Sequence, residues 1–317
     1  MKIYNITKHL PWYMSAAGLV VVLGVVFVFI WGGLNIGIDF TGGTIMTLDL
    51  HKEYSVDDVR QALINNGVGD APVVKSSSEG ASTQAIIRLK EKGTFTEQEE
   101  LRAKIRDDLK AKYPDVEIAG VDRVGGVAST DLLKNASIAV AVALGGILLY
   151  TAIRFKFIAG VATIIAMIHD VLLMTAIVAI FRIQINSPYI AAVLTIMGYS
   201  IYDTIVVFDR IRENEPRYFP KQMDRFQLTN LSIRETLVRS IVTTMVTLFT
   251  IVALCIFGVI SMKEFAIPLA VGIASGAYSS IFIATPIWAY WKTASDRRKG
   301  IVYKGGKQVP QPKPRKA

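Results

Sequence analysis

One acidic residue, Asp203, lies within the apolar stretch Ser187–Phe208, which is long enough to cross a bilayer as a helix. A carboxylate at that depth costs at least ~2.5–3.5 kcal/mol, so it requires a partner. Arg239 begins the next apolar stretch and reaches a similar depth, because consecutive helices run in opposite directions. The two residues predict proton or ion coupling, in which ionised and protonated Asp203 favour different helix packings. The alternatives are an Arg239 that extends to the membrane surface and an Asp203 with only structural hydrogen bonds.

Two further sets of polar residues are candidates for a relay beside this pair. Thr243 and Thr247 follow Arg239 at four-residue spacing, so all three share one face of a helix. His169 and Asp170 lie in the middle of the third apolar stretch, where adjacent ionisable residues are unusual and indicate a functional site. The alternatives are threonines that only join packed helices and an Asp170 held in a buried structural hydrogen bond.

The elements that must position these residues are six mostly apolar stretches, each long enough to cross a ~30 Å hydrocarbon layer. They cover residues 13–33, 136–153, 157–181, 188–208, 240–260 and 265–291. All six are predicted to be helices, because in lipid only helices and closed barrels satisfy the backbone. The first stretch is too long for the apolar core of a signal peptide, so residues 1–33 are predicted to keep their membrane helix. The fold class is therefore a polytopic α-helical membrane protein.

Charge is unevenly distributed along the chain, whose formal net charge is +9. Segment 34–135 is acidic overall, whereas basic residues cluster in the 209–239 connection of the 136–292 membrane domain and in the 293–317 tail. By the positive-inside rule, the basic parts and both termini are cytoplasmic and segment 34–135 is external. This reading is preferred to nucleic-acid binding. The tail is polar and rich in proline, so we expect it to be disordered.

The external segment has the pattern of a small α+β domain. Its predicted strands and helices are, in order, Ile36–Leu50, Ser55–Gly67 (helix), Val73–Ser76, Gln84–Leu89, Thr96–Tyr113 (helix) and Val116–Val124. The order β-α-β-β-α-β is typical of a ferredoxin-like fold.

A glycine motif containing Asp39, Gly42 and Gly43 follows the first apolar stretch. It lacks the lysine and the following helix of a phosphate-binding loop. We therefore expect a turn that acts as a hinge and orients the external domain. The three histidines are widely spaced, and no nucleophile, metal or dinucleotide motif is present. The sequence therefore predicts no enzyme activity, no catalytic residue, no metal site and no cofactor.

Four motifs carry a family resemblance, and they are Gly198–Asn214, Gly37–Gly43, His169–Leu172 and Arg234–Thr244. Together they resemble the SecF family of bacterial protein-export membrane proteins, which belongs to the SecD/SecF group of the resistance-nodulation-division superfamily. The resemblance covers nearly the whole chain. One departure is Tyr202, where the family usually has asparagine.

The resemblance implies a heterocomplex with SecD in the bacterial inner membrane. This complex would use the proton gradient to promote preprotein export through the SecYEG channel after the action of SecA. It further implies YajC and YidC as partners, together with unfolded preprotein, protons and membrane lipids. By resemblance, Asp203 is the proton-carrying acid and Arg239 is its switchable partner. The alternatives are a small-molecule or lipid exporter of the same superfamily and a non-transporting scaffold of the translocon.

Overall fold

The computed structural model describes residues 5–69, 71–78, 81–90, 95–219, 222–258, 260–298, 303–304 and 307–308. It forms two compact units. The helical unit comprises Met1–Asn35, Ala139–Ile183 and Pro188–Ala317, and the sheet unit comprises Ile36–Ile138 and Gln184–Ser187.

The elements are, in chain order, α1 (Leu10–Ile30), α2 (Ile38–Thr41), β1 (Gly43–Asp49), α3 (Val56–Asn65), β2 (Val73–Ser78), β3 (Ala81–Lys90), α4 (Phe95–Lys110), β4 (Glu117–Val124), α5 (Gly126–Phe155), α6 (Phe157–Ile180), α7 (Ser187–Tyr218), α8 (Arg225–Phe257), α9 (Ile260–Ser279), α10 (Thr285–Arg298), β5 (Tyr303–Lys304) and β6 (Lys307–Gln308). A 3₁₀ turn over Ile6–His9 leads into α1, and a π-helical turn over Ser280–Ala284 joins α9 to α10.

Six helices of the described chain are long and apolar enough to cross a membrane, which confirms the predicted number. They span Ile6–Ile30, Ala128–Phe155, Phe157–Ile180, Ser187–Tyr218, Arg225–Phe257 and Met262–Arg298. Large apolar side chains on α1 and α8 point outward; Phe29 is 80% exposed and Phe249 is 78% exposed. Such surfaces are expected where helices face lipid or the helices of another subunit, because apolar side chains carry no penalty there.

The charged 209–239 connection was predicted as a loop, but most of it is helical. Helix α7 continues to Tyr218, and α8 begins at Arg225. Asp224 starts α8 through a capping box, in which its carboxylate accepts the N–H of Gln227 at 2.7 Å and the Gln227 side chain accepts the N–H of Asp224 at 3.2 Å.

Ion pairs between the two extended helices explain why the charged residues remain helical. Arg210 of α7 donates to Glu235 of α8 at 2.7 Å and to Glu213 at 2.8 Å. Asn214 donates to the same Glu235 carboxylate at 2.6 Å. The polar composition therefore marks where the apolar stretch ends, whereas the helices continue beyond it.

The last helix also extends further than the sequence predicted. Residues 293–298, assigned to the disordered 293–317 tail, belong to α10. Asp296 anchors them, because it is buried, accepts from Arg225 at 2.8 Å and accepts from Lys292 at 3.0 Å. Most of the tail beyond Arg298 lies outside the described residues.

The sheet unit contains the six elements in the expected order, β-α-β-β-α-β. Its strands are arranged β2-β3-β1-β4, and every neighbouring pair is antiparallel. Helix α3 begins at a Ser55 cap, whose hydroxyl accepts the N–H of Asp57. Strands and helices enclose an apolar core that includes Met46, Leu48, Leu63, Ile87 and Ile105. The first strand begins at Gly43 instead of Ile36, because Ile38–Thr41 forms a helical turn.

An ion pair in the sheet unit connects the first turn of α3 to the residues that follow α4. Asp58 of α3 accepts from the Lys112 ammonium and from the Tyr113 hydroxyl, each at 2.7 Å. These two hydrogen bonds favour the ionised carboxylate and hold the pKa of Asp58 below its usual range.

Candidate functional site

Asp203 is 1% exposed and lies on the face of α7 that meets α8. Its carboxyl group is faced by the hydroxyls of Ser240 and Thr244 from α8. Within the described chain, Asp203 Oδ2, Ser240 Oγ and Thr244 Oγ1 are all buried, and none of them has a hydrogen-bond partner within 3.5 Å, although the two hydroxyls face the carboxyl group. Buried polar atoms without such partners are rare in proteins and often mark bound water or a functional site. The three atoms therefore form a buried polar cluster that includes the predicted acid.

Arg239 lies beside this cluster but does not form the predicted ion pair with Asp203. It donates from Nη2 to the hydroxyl of Tyr202 at 3.0 Å. Among the described residues, no carboxylate lies within 4.0 Å of its guanidinium. Tyr202 directly precedes Asp203, so the structure holds the guanidinium one residue away from the acid. Nothing in the sequence placed Tyr202 in this role, although its departure from the family's usual asparagine had drawn attention to the position.

Asp170, the second acid, is the centre of a hydrogen-bonded network in the interior of the helical unit. Its carboxylate is 1% exposed and accepts hydrogen bonds from three serine hydroxyls on α7 and α9. These donors are Ser200 at 2.7 Å, Ser275 at 2.6 Å and Ser279 at 2.7 Å. His169 Nδ1 lies 3.1 Å from Asp170 Oδ1, whereas His169 Nε2 is buried without a partner in the described chain. Asp170 thus joins three helices.

The two predicted relay threonines bond mainly to their own helix. Thr243 donates to the carbonyl of Arg239 at 2.9 Å, and Thr247 donates to that of Thr243 at 3.0 Å. Thr247 also accepts from Tyr199 of α7 at 3.3 Å. In the described chain, no hydrogen bond between side chains connects these threonines to Asp170. The structure therefore separates the predicted relay into two polar sites.

Sequence reasoning missed the serines that surround Asp170. Ser275 and Ser279 stand four residues apart in α9, where small residues at that spacing are typical of helices that pack closely. The four-residue spacing could have indicated this role, because it places both serine hydroxyls on one helical face, where they can donate to a buried acid on a neighbouring helix. Ser240 and Thr244 repeat the same spacing in α8, opposite Asp203.

The predicted hinge motif and the strand residues beside it bind segment 184–187, which ends at the first residue of α7. Asp39 Oδ2 accepts the N–H of Ser187 at 2.8 Å, and Ser187 is the first residue of α7. The N–H of Gly37 donates to the carbonyl of Ile185 at 2.7 Å, and Arg88 donates to Gln184.

The two glycines of this motif meet conformational and steric demands. Gly42 has a φ of 72°, which favours glycine. A Cβ atom on Gly43 would overlap the carbonyl oxygen of Leu89 on the neighbouring strand β3. Gly43 therefore permits β1 to pair closely with β3 directly after the turn.

Metal binding finds no support in the arrangement of ligands. Within the residues that the structure describes, no group of three or more His, Cys, Asp or Glu side chains is placed to hold an ion.

Comparisons with known proteins agree with this architecture. Residues 104–294 match the family model described as protein export membrane protein SecD/SecF, C-terminal, and residues 32–53 match the SecD/SecF GG motif. The second match covers the motif that contains Asp39.

Relatives and solved structures are similar over most of the chain. The protein translocase subunit SecF of Thermobaculum terrenum is 36% identical over 86% of this chain and 89% of its own length. That of Alicyclobacillus acidocaldarius is 34% identical over 98% of both chains.

The crystal structure of SecDF, a translocon-associated membrane protein from Thermus thermophilus, matches with a TM-score of 0.78 and 33% identity. The match covers 92% of this chain but only 39% of that solved chain. A structure of SecDF in a super-membrane-facing form matches with a TM-score of 0.68 and 34% identity, over 94% of this chain and 40% of the other. The chain belongs to the SecD/SecF family of protein export membrane proteins.

Proposed function

We propose that this chain is a SecF-type subunit of a bacterial protein translocase that uses the proton gradient to promote preprotein export. In this proposal it assembles with a SecD-type subunit and acts at a SecYEG channel after SecA, with YajC and YidC as further partners. Family membership supports the translocase role. The observation that supports proton coupling is the buried cluster of Asp203, Ser240 and Thr244, whose polar atoms have no hydrogen-bond partner within 3.5 Å in the described chain.

The proposed switch moves the Arg239 guanidinium between two acceptors on adjacent residues of α7. With Asp203 protonated, the acid has no charge to attract the guanidinium, and Arg239 stays on the Tyr202 hydroxyl at 3.0 Å. With Asp203 ionised, a buried carboxylate next to a cation attracts it strongly, because burial weakens screening. Loading and unloading one proton would then change how α7 packs against α8.

The energies are sufficient for such a switch. One elementary charge that crosses 100 mV of membrane potential releases ~2.3 kcal/mol. An unpaired carboxylate at bilayer depth costs ~2.5–3.5 kcal/mol, so pairing with Arg239 or protonation relieves a penalty of similar size. A change of this magnitude alters the ratio of two conformations by roughly 50-fold, since ~1.4 kcal/mol corresponds to a factor of ten.

A change in α7 would reach the sheet unit through the first residue of that helix. Ser187 is bound by Asp39 at 2.8 Å, and Ile185 is bound by Gly37 at 2.7 Å. We propose that the sheet unit is a ferredoxin-like domain outside the membrane, that both termini are cytoplasmic, and that this domain alternately holds and releases an emerging preprotein. The excess of basic over acidic residues in segment 209–239 supports the cytoplasmic assignment under the positive-inside rule.

The exporter alternative receives little support from the sheet unit. A cavity there, beside Thr44 and Gln98, has a volume of about 80 Å³. Small-molecule sites usually have ~300–1,000 Å³.

The test compares Asp203→Asn with Asp209→Asn in inner-membrane vesicles that contain the full translocase. Asp209 lies on the same helix in a half-exposed ion pair with Arg154 at 3.2 Å, so it is a matched control. We expect Asp203→Asn to abolish the stimulation of preprotein export by the proton gradient, and Asp209→Asn to retain it. An uncoupler should remove the difference between the two variants. Full gradient-driven stimulation in Asp203→Asn vesicles would refute the proposal and favour the scaffold alternative.

A further inference from the structure

A second cavity lies in the helical unit, at the end where α5 and α6 meet. It has a volume of about 300 Å³, at the lower end of the range for small-molecule sites. Its base is apolar and includes Ala159, Phe208 and Trp288, all of them buried. Three cations and one acid also line it, and they are Arg154, Lys156, Arg212 and Glu215.

The charges around this cavity leave an unbalanced positive potential. Glu215 is already bound by Arg225, which donates to it at 2.7 Å and does not line the cavity. Lys156 stands 3.8 Å from the second oxygen of Glu215, which is a weak and exposed contact. For Arg212, no acidic partner occurs among the residues that the structure describes. A cavity with two cations that lack a strong partner is suited to an anion.

Lys156 adopts a backbone conformation that lysine rarely takes. It connects α5 to α6 with a φ of 110°, in the region that favours glycine. Its side chain makes no capping hydrogen bond to α6. Strained residues of this kind persist only where the surrounding structure holds them, and they cluster at functional sites. A glycine would suit the turn better, so the strained backbone supports a role for the Lys156 side chain, which lines the cavity.

The position of the cavity indicates where its ligand comes from. Arg154 lies in the last turn of α5 and Lys156 connects α5 to α6, two helices that are each long and apolar enough to cross a membrane. Next to them, Ile153 is 78% exposed and Phe157 is 68% exposed, so an apolar surface continues from the cavity along the outside of the unit. A soluble phosphate compound has no apolar part to contact that surface, whereas the acyl chain of a lipid would cover it.

We propose that this cavity binds the phosphate headgroup of an anionic phospholipid. Arg212 and Lys156 bind the phosphate oxygens, the aromatic base excludes water, and an acyl chain lies along Ile153. Basic pockets between membrane helices recognise anionic headgroups by the same chemistry. The site is separate from Asp203, and it does not depend on the proposed proton coupling.

Native mass spectrometry of the full chain in detergent tests this assignment. Phosphatidylglycerol is the anionic probe, phosphatidylcholine the zwitterionic probe and inorganic phosphate the soluble probe. We expect the chain to retain phosphatidylglycerol in preference to phosphatidylcholine, and to retain no inorganic phosphate. Arg212→Gln and Lys156→Gly should each weaken phosphatidylglycerol binding about fivefold. The control Arg217→Gln, on the same helix but outside the cavity, should leave binding unchanged.

Lys156→Gly also separates binding from folding. Because glycine relieves the strained turn, this variant should melt at the same temperature as the unmodified chain or higher, while it loses lipid affinity. The proposal is overturned if the two lipids bind equally, if Arg217→Gln weakens binding as much as Arg212→Gln, or if Lys156→Gly retains full affinity. Saturable binding of inorganic phosphate at the same site would replace the lipid with a soluble phosphate ligand.

Discussion

Replacement of Arg225 by methionine should destabilise the helical unit more than any exposed charge substitution. The Arg225 side chain is 6% exposed, donates to Asp296 at 2.8 Å and to Glu215 at 2.7 Å, and lies 3.5 Å above the ring centroid of Phe219. Methionine has a similar volume but leaves both carboxylates without this donor. The variant therefore isolates the loss of the cation.

Arg225→Met should lower the free energy of unfolding by about 3 kcal/mol. Removal of one partner from a buried ion pair costs ~3–5 kcal/mol, because the other charge stays buried. Two features place the value at the lower end. Lys292 remains 3.0 Å from Asp296, and the side chain of Glu215 is 26% exposed and can be solvated. By the usual scaling for domains of ~150–250 residues, ~3 kcal/mol lowers the melting temperature by roughly 6–12 °C.

Thermal unfolding of the purified full chain in detergent measures this effect. The matched control is Arg217→Met, on the exposed surface of α7, which should shift the midpoint by no more than ~2 °C, since exposed charges contribute little. Addition of Asp296→Asn to Arg225→Met should recover part of the loss, because it removes the stranded charge. Equal midpoints for Arg225→Met and Arg217→Met would refute the reasoning. No recovery in the double variant would show that Asp296 is not the stranded group.

Three other outcomes follow from the described contacts. Asp170→Ala should lower stability by about 3 kcal/mol in the same melting assay, because three serine hydroxyls lose their shared acceptor. Asp39→Ala, which removes the acceptor for the N–H of Ser187, should reduce gradient-driven export while SecA-driven export persists; equal loss of both would contradict the coupling role. Asp58→Asn should destabilise by ~0.5–1 kcal/mol at neutral pH, since the carboxylate is bound by Lys112. The pKa of Asp58 is lowered in the folded state, so the destabilisation caused by Asp58→Asn should disappear at acid pH below that pKa. The same destabilisation at every pH would contradict this prediction.

The sequence was sufficient to find the acids and the membrane helices, because both signals are local. A charge within an apolar stretch is conspicuous without any knowledge of neighbouring helices, and this identified Asp203 and Asp170. The partners of those acids were harder to find. Ser275 and Ser279 are more than a hundred residues from Asp170 in the chain, and only the packing of α6 against α9 brings them within 2.7 Å.

Helix ends were misjudged for a related reason. Hydropathy falls at Asp209, but α7 continues to Tyr218, because Arg210 pairs with Glu235 across the interface with α8. The end of α10 depends in the same way on a contact between Asp296 and Arg225, which are 71 residues apart. Composition therefore indicates where an apolar stretch ends. The end of the helix itself depends on ion pairs with residues that are distant in the chain.

The most direct measurement of the central claim is infrared difference spectroscopy of the full chain in lipid, recorded between acidic and alkaline pH. We expect a buried protonated carboxyl that loses its proton on alkalinisation, with a signal that is absent in Asp203→Asn and retained in Asp209→Asn. We also expect the loss of this signal to be accompanied by a change in the Arg239 guanidinium bands. A spectrum unchanged by Asp203→Asn would contradict the claim that this buried acid exchanges a proton and switches the contact of its arginine.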